Sequence, residues 1–173
     1  MNYKESISVL SKKLIINKGS FLITGSTGLI GSCIIDCLLK ANENGSKFEI
    51  YALSRSKEKI INRFGTKVIP VIQDITEPLK IKNKCDYIIH CASNADPRSY
   101  ALNPVETIIT NIIGNKNIYD YCKENILTRV LLTSTFEVYG SIENISTYSE
   151  NMSGIIDQSI LRNGYPESKR CCE

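Results

Sequence analysis

Apolar and polar positions along the chain fall into blocks that alternate between the signature of a buried strand and that of a helix packed on a sheet. Residues 1–18 carry apolar side chains at Ile7, Val9, Leu10, Leu14, Ile15 and Ile16, the spacing of a short amphipathic leader helix at a domain edge. A continuous apolar run then enters the stretch Phe21-Leu-Ile-Thr-Gly-Ser-Thr-Gly-Leu-Ile-Gly-Ser32. Beyond its glycines, Leu29 to Ala41 is apolar nearly all round, as a crossover helix would be, and the polar stretch Asn42 to Ser46 closes it. Further strands are predicted over Phe48 to Leu53, Lys67 to Gln73 and Cys85 to Ser93, and a fifth begins at Arg129. Between the last two, Pro104 to Lys123 reads as a long helix whose apolar face is Val105, Ile108, Ile109, Ile112, Ile113, Ile118 and Tyr119. Strands alternating with helices predict an α/β fold, a doubly wound, Rossmann-like parallel sheet over residues 19–173 with strand order 3-2-1-4-5.

The glycine turn is the first place where pattern suggests chemistry. Gly25 lets the chain leave the strand sharply, Gly28 lets the backbone approach a pyrophosphate, and Gly31 lets the helix pack closely on the sheet. The amides of Thr27, Gly28, Leu29 and Ile30 would then face the phosphates, at a helix end whose first amides lack intrahelical partners. Glycines also punctuate ordinary strand-to-helix turns, so the turn alone leaves both readings open. At the end of the second strand, where such folds hold the adenosine ribose with an acidic residue, this chain has Ser54-Arg55-Ser56. Arg55 either pairs with a 2′-phosphate, which leans toward NADP over NAD, or is a solvated strand-end residue.

Composition narrows the field. With 173 residues, 42% hydrophobic and 23% charged, the chain has room for one ordinary domain. Its net charge of +3 is small and its basic residues are scattered, which predicts neither nucleic-acid nor membrane-surface binding. The N-terminus, with Lys4, Glu5, Lys12 and Lys13, has no signal-peptide core and no run reaches membrane-span length, so a cytoplasmic protein is expected. Cys33, Cys37, Cys85, Cys91, Cys122, Cys171 and Cys172 form no Cys-x-x-Cys pair, and His90 is the only histidine. That predicts reduced, buried thiols and no metal site.

The catalytic candidates come late in the chain. The fifth strand runs into Leu132-Thr-Ser-Thr-Phe-Glu-Val-Tyr-Gly140, and further on comes Tyr165-Pro-Glu-Ser-Lys169. Tyr and Lys at that spacing share one helix face, so the ammonium of Lys169 is expected to lower the Tyr165 pKa and to bond a cofactor ribose. A phenol needs such help, because its unperturbed pKa of about 10 makes it a poor base at neutral pH. Thr135 would bond the substrate oxygen that is oxidised. His90 reads as a satisfied structural histidine.

Taken in order, the Gly25, Gly28, Gly31 turn, Asp74, His90-Cys-Ala92, the Ser134-Thr-Phe-Glu-Val-Tyr-Gly140 segment and Tyr165-x-x-x-Lys169 resemble the extended short-chain dehydrogenase/reductases, in particular the NAD-dependent epimerase/dehydratase group acting on nucleotide sugars. The resemblance covers nearly everything from Phe21 onward. It implies NAD or NADP as cofactor and places Asp74 over the adenine amino group, with Ile75 beside it; a turn-forming Asp74 is the alternative. It implies that Cys91, Ala92 and Ser93 leave space for ribose and nicotinamide, that Asn111 bonds the strand ahead of the catalytic segment, and that the long helix builds a homodimer interface. Ser93 to Tyr100, Asn103 to Thr107 and Ser134 to Gly140 resemble UDP-glucuronate decarboxylases, which implies Thr135, Glu137, Tyr165 and Lys169 as the catalytic set and a nucleotide sugar as substrate. A 4-epimerase remains open. A 4,6-dehydratase is disfavoured because its Asp-Glu pair is Phe136-Glu137 here. Family members continue past the position of Glu173 into a sugar-holding domain, so the chain is expected to be an N-terminal part, truncated before the substrate domain. An inactive dinucleotide-binding module is the alternative from another class.

Overall fold

The computed structural model describes residues 2–126 and 128–173. The leader is helical over α1 (Tyr3–Ser11) only, shorter than the expected 1–18, because Asn2 and Glu5 cap its start reciprocally and the chain then extends into β1 (Lys18–Thr24). The elements that follow are α2 (Leu29–Glu43), β2 (Lys47–Ser54), α3 (Lys57–Phe64), β3 (Ile69–Ile72), β4 (Tyr87–His90), α4 (Pro97–Leu102), α5 (Pro104–Glu124), β5 (Arg129–Leu132) and α6 (Gly164–Cys172). The strands pair in parallel in the order β3-β2-β1-β4-β5, as the pattern predicts. The third and fourth strands are shorter than expected. Asp74 and the residues after His90 leave the ladder to form the loops at the sheet's C-terminal edge.

Alternation along β1 builds the two layers. Phe21 and Ile23 join Ile35, Leu38, Phe48, Ile50, Ile60 and Phe64 on the side of α2 and α3, while Leu22 joins Tyr51, Leu53, Ile75, Ile88, Ile118 and Tyr121 on the side of α5. Leu22, Ile23, Ile35 and Ile88 have no exposed surface, and each such side chain contributes roughly 1.5–3 kcal/mol of burial. The short helices α3 and α4 start at side-chain caps: Ser56 accepts from the Lys59 amide and Asp96 from the Ser99 amide.

α5 corrects the expected core face. Its buried residues are Thr107, Asn111, Gly114, Asn115, Asn117, Ile118 and Tyr121, whereas Val105, Ile109, Ile113 and Tyr119 are exposed. The asparagines are inside because their amides bond groups that need partners. Asn117 Nδ2 donates to the Ile75 carbonyl at 2.8 Å and Asn115 Nδ2 to the Cys172 carbonyl at 3.0 Å. The cysteines also depart from expectation: all seven are free, but only Cys85 and Cys172 are buried, and Cys171 is exposed.

Candidate active site

The chain leaves β1 at Gly25, whose φ of +62° suits glycine, and turns into α2 at Gly28. No side chain caps α2, so the first amides of the helix, from Leu29 to Gly31, lack the partners that a capping residue would bring. Beside this end lies a cleft of about 280 Å³ lined by Gly25, Thr27, Gly28, Ser54, Arg55, Asp74, Ile75, Cys91, Ala92 and Ser93, together with Leu53, Gln73, Asn94 and Thr110. The last four escaped sequence reasoning, although Asn94 and Thr110 each adjoin a residue that it singled out. Leu29 and Ile30 project outward, Gly31 packs against the turn, and Asn111 and Lys169 lie outside the lining. An uncapped helix end at a glycine-lined cleft fits the pyrophosphate of a dinucleotide.

At the far end of the cleft Asp74 does two things. Its Oδ1 accepts from the Thr76 amide at 2.9 Å and hydroxyl at 2.8 Å, the turn-forming reading, while Oδ2 faces the Arg55 guanidinium at 3.8 Å. These amide and hydroxyl bonds hold the Asp74 carboxyl below its ordinary pKa, so it is an acceptor at neutral pH.

His90 is buried where β4 meets the cleft. Thr24 Oγ1 accepts the amides of Cys91 and Ala92, both at 3.1 Å, so its single proton is left for His90 Nδ1 at 2.7 Å. That bond needs a neutral imidazole. Burial, then the Lys169 charge, lower its pKa from 6.5 to about 4. The unfolded chain therefore takes up the proton more readily, and this contribution to stability is complete above pH 6.5 and lost as the pH falls toward 4. The loss is about 3 kcal/mol. Urea unfolding at neutral and mildly acid pH is expected to show His90→Asn with a smaller acid loss than the parent; equal losses would rule the histidine out as the source.

Past β5, Thr135 caps a 3₁₀ turn, Phe136–Tyr139, its hydroxyl accepting from the Glu137 amide at 3.3 Å. Glu137 Oε2 accepts from Arg162 at 2.7 Å. Tyr165 and Lys169 are both buried on α6, with Tyr165 stacked on Tyr100 at 4.7 Å between ring centroids. The four expected catalytic residues are thus brought together at the end of β5. One expectation fails. Tyr165 is raised above its ordinary pKa by burial, then by the Glu137 carboxylate and Tyr100, with only the Thr135 hydroxyl opposing. The Lys169 ammonium is not among the causes of the shift; its Nζ donates to the Thr133 carbonyl at 2.8 Å, and burial lowers its own pKa.

Asn111 bonds Ser93, at the end of the stretch expected as the fourth strand, and also α6. It is buried, accepts from Ser93 Oγ at 2.7 Å and donates to Ser168 Oγ at 2.8 Å, and Ser168 Oγ donates in turn to the Tyr165 carbonyl. It therefore ties the loop after β4 to α6 and acts on the cleft through Ser93.

Among the described residues no group of three or more His, Cys, Asp or Glu is placed to hold a metal ion, and no helix is long and apolar enough to cross a membrane. Residues 21–173 match the NAD dependent epimerase/dehydratase family. UDP-glucuronic acid decarboxylase 3 of Arabidopsis thaliana is 38% identical over 153 residues, covering 88% of this chain and 44% of that protein. UDP-glucuronic acid decarboxylase 1 of Xenopus tropicalis is 34% identical, covering 96% and 38%. The chain thus spans less than half the length of these relatives. Among solved structures, a UDP-N-acetylglucosamine 4-epimerase from Methanobrevibacter ruminantium superposes with a TM-score of 0.73 at 22% identity, over 91% of this chain and 49% of that one. A dTDP-glucose 4,6-dehydratase from Bacillus anthracis, in complex with NAD, gives 0.67 at 19% identity over 89% and 48%.

Proposed function

The chain belongs to the NAD dependent epimerase/dehydratase family, and from that premise we propose that it supplies the dinucleotide-binding and acid-base part of a nucleotide-sugar enzyme, one that decarboxylates UDP-glucuronate. The observation that carries the reading is the meeting of Thr135, Glu137 and Tyr165 at the end of β5 with Lys169 behind them, next to the glycine-lined cleft. The similarity to UDP-glucuronic acid decarboxylases supports the choice of reaction.

Gly25, Thr27, Gly28 and the first α2 amides would hold the pyrophosphate, Asp74 and Ile75 the adenine, and Cys91, Ala92 and Ser93 would flank the nicotinamide ribose. When bound, the nicotinamide supplies a reversible hydride acceptor for C4 of the sugar. Tyr165 takes the proton of the 4-hydroxyl, and the Thr135 hydroxyl bonds the same oxygen. The resulting ketone is β to the C6 carboxylate, whose bond to C5 can break, releasing carbon dioxide and leaving its electron pair on C5 as an enolate. Protonation of that enolate at C5 and reduction at C4 give a UDP-pentose. A dehydratase would need an acid for a departing 6-hydroxyl, and Phe136, 76% exposed, stands in that acid's sequence position.

A homodimer through α5 belongs to the same reading, supported by the exposed stripe Val105, Ile109 and Ile113. So does a reducing, cytoplasmic setting, in keeping with seven free thiols. For the cofactor, Arg55 is the discriminating residue: its side chain is 78% exposed at the ribose end, with Asp74 3.8 Å away. NADP is expected to bind roughly tenfold tighter than NAD, and Arg55→Ala to erase the difference. Calorimetric titration with both dinucleotides decides it, and tighter NAD binding unaffected by the substitution would make Arg55 a surface residue. The reaction itself is tested by carbon dioxide release from UDP-glucuronate by a polypeptide containing this chain; a 4-epimer or a dehydrated 4-keto sugar instead would overturn the decarboxylase choice.

A further inference from the structure

Arg162 joins three segments that are far apart in the chain. It projects from the 3₁₀ turn Leu161–Asn163, and one of its terminal nitrogens donates both to Glu137 Oε2 at 2.7 Å and to the Tyr100 hydroxyl at 2.9 Å. The same guanidinium lies 5.1 Å from the centroid of the Tyr100 ring. Tyr100, from α4 and 4% exposed, lies almost parallel to Tyr165 of α6, the ring planes 11° apart. Glu137, Arg162, Tyr100 and Tyr165 therefore form one continuous pile in which each member touches the next. On the side of Glu137 and Arg162 the pile borders a cavity of about 740 Å³.

We propose that Arg162 is a positioning residue for Tyr165: its guanidinium locks Tyr100 into the wall that fixes the plane of the phenol, and offsets the carboxylate of Glu137 beside it. The significance for catalysis rests on the reading of Tyr165 as the acid-base group; the positioning itself does not. A guanidinium suits the task because one of its nitrogens reaches a carboxylate and a hydroxyl at once while its flat, delocalised group lies near a ring. Among the described residues no other cation bonds Glu137 or Tyr100. Lys169 donates to the Thr133 carbonyl, and Arg170 to the carbonyls of Val138 and Gly154, with Glu167 3.9 Å away. From the other elements around α6, β4 contributes His90, neutral under ordinary conditions, and α5 contributes Tyr119, whose hydroxyl donates to the Cys172 carbonyl. Thr135 is uncharged. Glu137 is thus the negative charge acting on the phenol, and Arg162 is the group bonded to it.

The test is fluorine NMR of the full chain labelled with 3-fluorotyrosine, which brings phenol titration into an accessible range, with the Tyr165 signal assigned through Tyr165→Phe. Arg162→Ala is expected to move the Tyr165 titration to a pH higher by roughly 1, and to change its line shape as the ring gains freedom. Adding Glu137→Gln should return the titration to the parent position or below it. Arg162→Lys should restore the titration but not the line shape, since an ammonium supplies charge without the flat group that lies beside the Tyr100 ring. Unchanged titration and line shape in a folded Arg162→Ala chain would overturn the proposal. If that chain does not fold, Glu137→Gln alone decides: the Tyr165 titration must fall below that of the parent, and failure to do so overturns the proposal equally. The acid-base reading fails on separate grounds, if Tyr165→Phe leaves turnover intact, and the NMR outcomes stand apart from that result.

Discussion

A Gly28→Val chain is expected to fold and to lose dinucleotide binding beyond detection, whereas Gly31→Val is expected to lose the fold first. The three glycines of the turn look alike in the sequence but meet different neighbours. A Cβ on Gly31 would sit 2.4 Å from the Gly25 carbonyl oxygen and 3.1 Å from Ser26 Cα, backbone atoms that cannot step aside. One on Gly25 would meet the backbone of Cys91 and Ala92 at 2.8 Å, from a φ of +62° that a valine resists. Overpacking of this kind costs about 1–3 kcal/mol, occasionally more, which is a large share of the stability of a domain this size. Gly28 differs. Its φ of −77° is ordinary and its Cβ would find only the Gly25 carbonyl oxygen, at 3.2 Å, so a side chain there would intrude on the cleft more than on the fold. Thermal melts and calorimetric titration of the two variants separate the effects. Full cofactor affinity in Gly28→Val would remove the pyrophosphate from this turn, and a normal melt for Gly31→Val would contradict the close packing of helix on strand.

The inner strands β1, β2 and β4 were readable because each is a short run of apolar residues bounded by polar or glycine turns, the imprint of parallel strands covered on both faces, whereas the edge strands β3 and β5 are apolar but mostly exposed. Strand order came with the doubly wound, Rossmann-like reading of the alternating strands and helices. α5 was misread for a physical reason: apolar periodicity identifies the core only when apolar side chains fill it. Asn111, Asn115 and Asn117 are buried because backbone and hydroxyl groups on neighbouring segments need partners, and that need leaves no periodic trace. The same limit hid Arg162. Its partners Tyr100 and Glu137 lie 62 and 25 positions away in the chain, and nothing local to any of the three announces their convergence. Tyr165 and Lys169 were found by spacing, yet spacing alone misjudged their electrostatics. The helix brings both side chains to one region, but burial and then the Glu137 carboxylate raise the phenol, and neither leaves a trace in the local spacing.

Tyr165→Phe is expected to reduce turnover of UDP-glucuronate by a polypeptide containing this chain by roughly 10²–10⁴, the usual worth of a positioned acid-base group. The substitution removes one oxygen and leaves the ring, so the stack on Tyr100 and the packing of α6 should persist, as should cofactor affinity, which the glycine turn supplies. Lys169→Met behaves differently under the same reading. Its ammonium now bonds the Thr133 carbonyl at 2.8 Å in a buried setting, and losing it leaves that carbonyl without its partner. A stability loss of about 1–3 kcal/mol should accompany the loss of turnover. The pair of variants therefore separates chemistry from structure: turnover lost at constant melting temperature and constant cofactor affinity assigns Tyr165 to the proton transfer. The raised pKa of the phenol in the free chain adds a pH criterion. A base whose pKa lies above neutrality is mostly protonated there, so the oxidation step is expected to accelerate as pH rises, until the phenol is ionised. Tyr165→Phe should flatten that rise. Turnover by the phenylalanine variant within a few-fold of the parent, with the same pH profile, would place the proton acceptor elsewhere.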